Sequence, residues 1–255
     1  MSAHVQVTTA DRITTIRLDR PEKRNAITLE MYAALRSALE AAAVDRQVRA
    51  VVLAGAPTCF SAGNDLNDFV RANQGGGGDL EAPLGFLRAL ATLDKPLIAS
   101  VHGVAIGIGT TMLLHCDLVF AAPTARFRTP FVELGLVPEA GSSVLLPALI
   151  GERRAAQLLL LGDTIDAETA AAWGLINQVG GYPDALAHAA ATRIAASSPS
   201  AVRATKDLVR RPSRAAVLDA MRIEGEAFAE RLRSPEAMEA LQAVMMKRPA
   251  DFSNY

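Results

Sequence analysis

Three short segments gather the groups that could do chemistry. In Cys59 to Phe69, CFSAGNDLNDF, the small residues Ser61, Ala62 and Gly63 stand at a turn into a predicted helix and leave backbone N–H groups uncovered. The same arrangement recurs in His102 to Thr110, HGVAIGIGT. Unpaired N–H groups and the positive end of a helix dipole suit a developing oxyanion, so both turns could stabilise one. The third segment, Ala125 to Ser143, reads ARFRTPFVELGLVPEAGSS and places two acids in apolar surroundings. Glu139, between Pro138 and the small pair Ala140 and Gly141, sits in a constrained turn. Glu133 reads as a structural or surface acid, and Glu139 taken alone would be a solvated turn acid.

Other chemistries lack their residues. The glycines at 103, 107 and 109 miss the G-x-G-x-x-G dinucleotide spacing because Met112 stands where the last glycine belongs. The phosphate-loop pattern and the G-x-S-x-G elbow are absent. His115 and Cys116 are adjacent rather than spaced for one metal, and His4, His102 and His188 form no ligand pattern, so no metal site is expected.

Strands and helices must hold these turns. Ile13 to Leu18 shows a rough period of two and ends at Asp19-Arg20-Pro21, which predicts a strand. From the N-cap Thr28, Met31, Leu35, Ala38, Leu39 and Ala42 recur at helical spacing. Ala50 to Ala54, Leu97 to Val101 and Leu118 to Ala121 are apolar runs that predict buried strands, with a last strand-like piece at Leu175 to Val179. Gln74 to Asp79 carries four consecutive glycines and predicts a mobile surface loop. Beyond about Gly151 the chain is alanine-rich and helical. Val217, Met221, Phe228 and Leu232 share a helical face, and Ser234-Pro235-Glu236 starts a further helix.

At 255 residues the chain can build a real core, and 50% hydrophobic with 21% charged residues excludes disordered and fibrous classes. With 26 basic and 27 acidic residues there is no field to hold nucleic acid or an acidic membrane. Cys59 and Cys116 are too few for a disulfide framework and predict a reducing, cytoplasmic setting. The N-terminus has no signal-peptide pattern and DFSNY is no peroxisomal tripeptide. The stretch Leu97 to Cys116 carries no charge, yet its glycines and His102 predict a buried strand, a turn and a buried helix rather than a membrane span.

Together these segments resemble the enoyl-CoA hydratase/isomerase (crotonase) family. The resemblance runs through LDRPEKRNAI, FSAGNDL, VHGVAIGIG, CDLVFAAPTARFRTPFVELGLVPEAGSS and AAAWGLINQV to the helical tail. It implies an α/β fold, a spiral of β-β-α units over residues 1–199, followed by a helical trimerisation region over 200–255. It places the two oxyanion-hole amides on Asn64 and Ile108, which would hold the thioester carbonyl of an acyl-CoA. Lys23, Arg24, Ala26, Ala62, Asp65 and Leu66 match the stretch that surrounds the adenine and pantetheine of CoA. Phe228 and Lys247 match C-terminal positions that close the CoA site, in some members from a neighbouring subunit. A lysine often found after the first oxyanion segment is replaced by Asn67.

Two departures bear on the reaction. A hydratase of this family needs two carboxylates to activate water, and those positions here are Thr111 and Phe131, which cannot move a proton at neutral pH. The glutamate at 139 resembles instead the peroxisomal type of Δ3,Δ2-enoyl-CoA isomerase. Shifting a double bond removes a proton at C2 and returns one at C4, which one carboxylate can do without a metal or redox cofactor. Phe131, Leu136 and Val137, near in sequence, are expected to desolvate Glu139 and favour its protonated form. The alternatives are a 2-enoyl-CoA hydratase using an unusual acid such as Glu133, and a non-catalytic acyl-CoA binding protein. A homotrimer or hexamer is expected, because Met221, Phe228 and Leu232 would expose apolar surface on a monomer.

Overall fold

The computed structural model describes residues 2–56, 58–68 and 81–255. The expected glycine loop at Gln74 to Asp79, and Phe69, lie outside the described residues.

The chain opens with an antiparallel hairpin, β1 (Val5–Ala10) and β2 (Ile13–Leu18), turned by Asp11 and Arg12 in left-handed conformation. Thr28 caps α1 (Leu29–Val44) by accepting from the Met31 N–H at 3.2 Å. The chain then runs through β3 (Ala50–Ala54), α2 (Glu81–Thr92), β4 (Leu97–Val101) and β5 (Val104–Ile106). After a four-residue helix, α3 (Ile108–Thr111), come β6 (Leu118–Ala121), β7 (Arg126–Arg128), α4 (Ser142–Ile150) and α5 (Glu152–Leu161). Next are β8 (Ile165–Asp166), α6 (Ala167–Trp173), β9 (Gln178–Val179) and α7 (Pro183–Ala195). The tail is α8 (Pro199–Leu232) and α9 (Pro235–Met245).

The strands form two sheets. The larger has the order β1-β2-β3-β4-β6-β9, parallel beyond the first pair, and the smaller has the order β5-β7-β8. The steps from β4 to β5 and from β6 to β7 carry the chain from the larger sheet to the smaller; it returns to β6 through α3, and to β9 through α6 after β8. That repeated step is the spiral. The expected strand at Leu175 to Val179 shrinks to Gln178–Val179, because Leu175 and Ile176 turn out of α6 as core side chains.

The unbroken apolar runs of β3 and β4 are buried on both faces. Val51, Leu53, Leu97, Ala99 and Val101 face the main core with α1 and α2, whereas Ala50, Val52 and Ile98 face Ala187, Ala191 and Ala195 of α7. A third cluster, Phe131, Leu136, Phe228, Leu232, Ala237 and Leu241, binds α8 and α9 to the turn before α4. Met221, Phe228 and Leu232 are therefore covered within the single chain, which corrects the expectation that they would be bare on a monomer. Among the described residues no helix is long and apolar enough to cross a membrane.

Candidate active site

The two glycine-containing turns meet through backbone. Ser61 pairs with Ala105 as a parallel bridge: the Ser61 N–H donates to Val104 O at 3.0 Å, and the Ile106 N–H donates to Ser61 O at 3.0 Å. Asn25, itself left-handed, donates through Nδ2 to Cys59 O at 2.8 Å and Phe60 O at 3.1 Å, which anchors the first turn to the LDRPEKRNAI segment. Only glycine allows the turns to come this close. Gly63 has φ of +94°, and a Cβ there would stand 2.8 Å from Ile106 O; one on Gly109 would stand 2.7 Å from Ser61 O.

The turns deliver Asn64 and Ile108. Among the described residues neither N–H donates to another group, while their neighbours Asp65 and Gly107 are paired to Ile27 O and Arg128 O. Ile108 opens α3, where the first N–H groups have no intrahelical acceptor. The Asn64 side chain accepts from the buried Tyr32 hydroxyl, which holds the first turn against α1.

Glu139 lines a narrow cavity with Asn64, Pro83, Leu84, Leu87, Met221 and Phe228. It is not the solvated turn acid that its residue type alone predicts, being 9% exposed. Burial, and then the negative charge of Glu224, push its carboxyl up to about 8, while a hydrogen bond from Thr111 Oγ1 at 3.4 Å opposes the shift. The cavity walls around it come from α2 and α8. Phe131 and Leu136 pack instead in the third cluster, so the expected source of desolvation is corrected. The turn after Glu139 is tight: Ala140 has φ of +63° and Gly141 of +70°. His115, kept neutral by burial with its pKa lowered to about 4, donates from Nε2 to Ala140 O at 2.7 Å.

The other residues singled out from the sequence fall into three groups. Lys23 and Arg24 are exposed on a short helical turn, and the Arg24 carbonyl accepts from the Ala62 N–H at 2.9 Å, so Lys23, Arg24, Ala26 and Ala62 lie beside the turn that carries Asn64. Asp65 is buried, and its carboxylate meets Arg20 at 2.6 Å and the Asn67 N–H at 3.0 Å; these outweigh burial and hold it below the usual carboxylate range. Leu66 packs on the third cluster, which Phe228 shares. Lys247 is exposed beyond α9, and Glu133 is exposed and paired with Arg128 at 2.6 Å.

Tyr32 and Glu224 belong to this neighbourhood and were not singled out from the sequence, and His115 was weighed there only as a metal ligand. Glu224 had a visible signal: it sits at the spacing of Val217, Met221 and Phe228, an acid inside an apolar helical stripe. A groove of about 740 Å³ lies elsewhere, between the first half of α8 and the segment Leu113 to Val119. Lys206, Arg210 and Asp117 there form an ion-pair cluster.

The chain thus combines a two-sheet spiral, two amides without an acceptor among the described residues, and a buried carboxylate whose cavity Asn64 lines. The model of the enoyl-CoA hydratase/isomerase family matches residues 8–255, and the chain belongs to that family. It is 34% identical to enoyl-CoA delta isomerase 2 of Rattus norvegicus over 97% of its own length, and spans 65% of that longer protein. It is equally 34% identical to a probable enoyl-CoA hydratase of Rhizobium meliloti (strain 1021), covering 97% of each chain. The solved enoyl-CoA hydratase/isomerase of Pseudoalteromonas atlantica T6c has the same crotonase fold, with a TM-score of 0.92 and 40% identity over 98% of this chain and all of that one.

Proposed function

We propose that the protein is an enoyl-CoA isomerase that moves the double bond of a 3-enoyl-CoA to the 2 position. The Asn64 and Ile108 N–H groups bind the thioester oxygen. The Glu139 carboxylate takes a proton from C2, the C–H electrons move into a dienolate held by those two amides, and protonated Glu139 returns the proton to C4. Atoms and charge balance with no metal or redox cofactor, and coenzyme A takes part only as the substrate's handle. The amides supply the largest effect, since one such donor is worth roughly 10²–10³ in rate. A carboxyl near 8 is a stronger base than a solvated one and keeps its proton long enough to return it.

One observation carries this reading: Glu139 is a buried carboxyl in the cavity that Asn64 lines. The family resemblance supports it, since it puts Thr111 and Phe131 at the positions of a hydratase's water-activating acids. The hydratase reading has support in the names of relatives, but its acid, Glu133, is exposed and engaged by Arg128. Lys23 and Arg24 are proposed to meet the phosphates of CoA, with Ala26, Ala62, Asp65 and Leu66 along the pantetheine and adenine, and Phe228 and Lys247 closing the site. A trimer or hexamer is proposed as the working form, now supported by Leu149, Leu160, Leu161, Leu208 and Val209, which are exposed on the single chain. The test is product analysis on 3-enoyl-CoA and 2-enoyl-CoA separately.

A further inference from the structure

Helix α4 begins three residues beyond Glu139 and has no capping side chain of its own, because its N-cap is Gly141. Its free amides are met from another part of the chain. Glu224 of α8 accepts from the Gly141 N–H at 2.6 Å through Oε2, and from the Ser143 N–H at 2.9 Å and the Ser143 hydroxyl through Oε1. Glu224 is buried and is absent from the lining of the Glu139 cavity, whereas Met221, Gly225 and Phe228 of the same helix line it. Thus α8 supplies a cavity wall with some residues and grips the base's turn with Glu224.

We propose that Glu224 is a positioning residue for Glu139: it pins the left-handed turn that carries the base and sets a second negative charge against it. The inference rests on the reading of Glu139 as the base. Without Glu224 the turn at Ala140 and Gly141 would hold its two positive φ angles with the His115 bond to Ala140 O, the Ser142 N–H bond to Glu139 O and the Val144 and Leu145 N–H bonds to Gly141 O, and the Gly141 and Ser143 N–H groups would lose their acceptor. Three donors at the start of α4 meet the Glu224 carboxylate. Among the described residues three groups act on the Glu139 carboxyl: the Tyr32 phenol of α1, the Thr111 hydroxyl of α3 and the Glu224 carboxylate of α8. Of these Glu224 alone brings a charge, and burial adds to its effect.

The test is direct titration of Glu139 by carbon NMR of protein labelled at the glutamate Cδ, the resonance being assigned by its loss in Glu139→Gln. In Glu224→Gln the Glu139 midpoint should fall by about one pH unit. The same variant should show faster hydrogen exchange at the Gly141 and Ser143 amides and a lower kcat at little-changed KM for 3-enoyl-CoA. Glu224→Asp keeps the charge but shortens the reach, so the midpoint should stay high while kcat falls. It carries the test if the glutamine variant fails to fold. An unmoved midpoint in Glu224→Gln, or wild-type kcat and exchange in Glu224→Asp, would overturn the proposal. Retained isomerisation in Glu139→Gln would instead overturn the reading of the base, and the NMR midpoint would still decide whether the two carboxylates are paired.

Discussion

Thr111 Oγ1 and Glu139 Oε1 face each other at 3.4 Å inside the protein, and among the described residues this long contact is the only side-chain hydrogen bond to the Glu139 carboxyl. The position that would carry one acid of a hydratase therefore lies beside the acid this chain does carry. A glutamate at 111 would crowd a second negative charge against Glu139, which already has Glu224 nearby. Threonine offers a hydroxyl without charge, which under the proposed mechanism leaves the Glu139 carboxyl free to exchange its proton with a substrate.

Glu139→Gln should keep the fold and acyl-CoA binding and lose isomerisation by several orders of magnitude, since an amide cannot accept the C2 proton. Glu133→Gln is the control. It removes an exposed partner of Arg128 and should cost at most a few-fold, as steady-state kinetics on 3-enoyl-CoA would show.

The pH dependence follows from the same carboxyl. Glu139 must be ionised to accept a proton, so kcat/KM should rise with pH and level off above about 8. Its pKa is raised on folding from an ordinary 4.5, so the folded protein holds a proton that the unfolded chain gives up. The stability this contributes is full below about 4.5 and is lost as pH rises through about 8. Glu139→Gln should consequently gain thermal stability over wild type at pH 9 and little at pH 4, the difference being on the order of a few kcal/mol. Equal melting shifts at the two pH values would refute the assignment of a buried, high-pKa carboxyl.

Gly63→Ala tests the contact between the two turns proposed to form the oxyanion hole. The new Cβ would press on the Ile106 carbonyl at a φ of +94°, so the Asn64 and Ile108 amides should separate. A fall of roughly 10²-fold in kcat is expected, as for loss of one oxyanion donor, with a stability cost of about 1–2 kcal/mol. Wild-type kcat in the folded variant would mean that these amides do not hold the developing charge.

Much of this arrangement was legible in the sequence, and the boundary is instructive. Apolar runs such as Ala50–Ala54 and the capped start of α1 declare themselves because burial and capping act within a few residues. The hairpin strand Val5–Ala10 was missed: five of its six residues are exposed, so burial left little pattern. Resemblance could name Glu139, but not its desolvation by Leu84, Leu87, Met221 and Phe228, which come from helices distant in sequence. The same distance hid the bond from Tyr32 to Asn64. The apolar stripe of α8 was read correctly as a face and wrongly as a bare one, because periodicity reports that a face is apolar and says nothing of what covers it.

Assembly should be visible by light scattering, where a trimer or hexamer is expected. The relevant surface is Leu149, Leu160, Leu161, Leu208 and Val209 rather than the covered face of α8. Charged substitutions at Leu160 and Leu161 should weaken the assembly without unfolding the chain, and a clean monomer of the unmodified protein at micromolar concentration would refute it.

The most direct measurement supplies purified protein with 3-enoyl-CoA and, separately, with 2-enoyl-CoA, and resolves the products by chromatography and mass. Conversion of the 3-enoyl to the 2-enoyl thioester, with no gain in mass and with hydration of 2-enoyl-CoA far slower, is the result predicted for a single carboxylate at Glu139. Faster addition of water to 2-enoyl-CoA than isomerisation of 3-enoyl-CoA would contradict it.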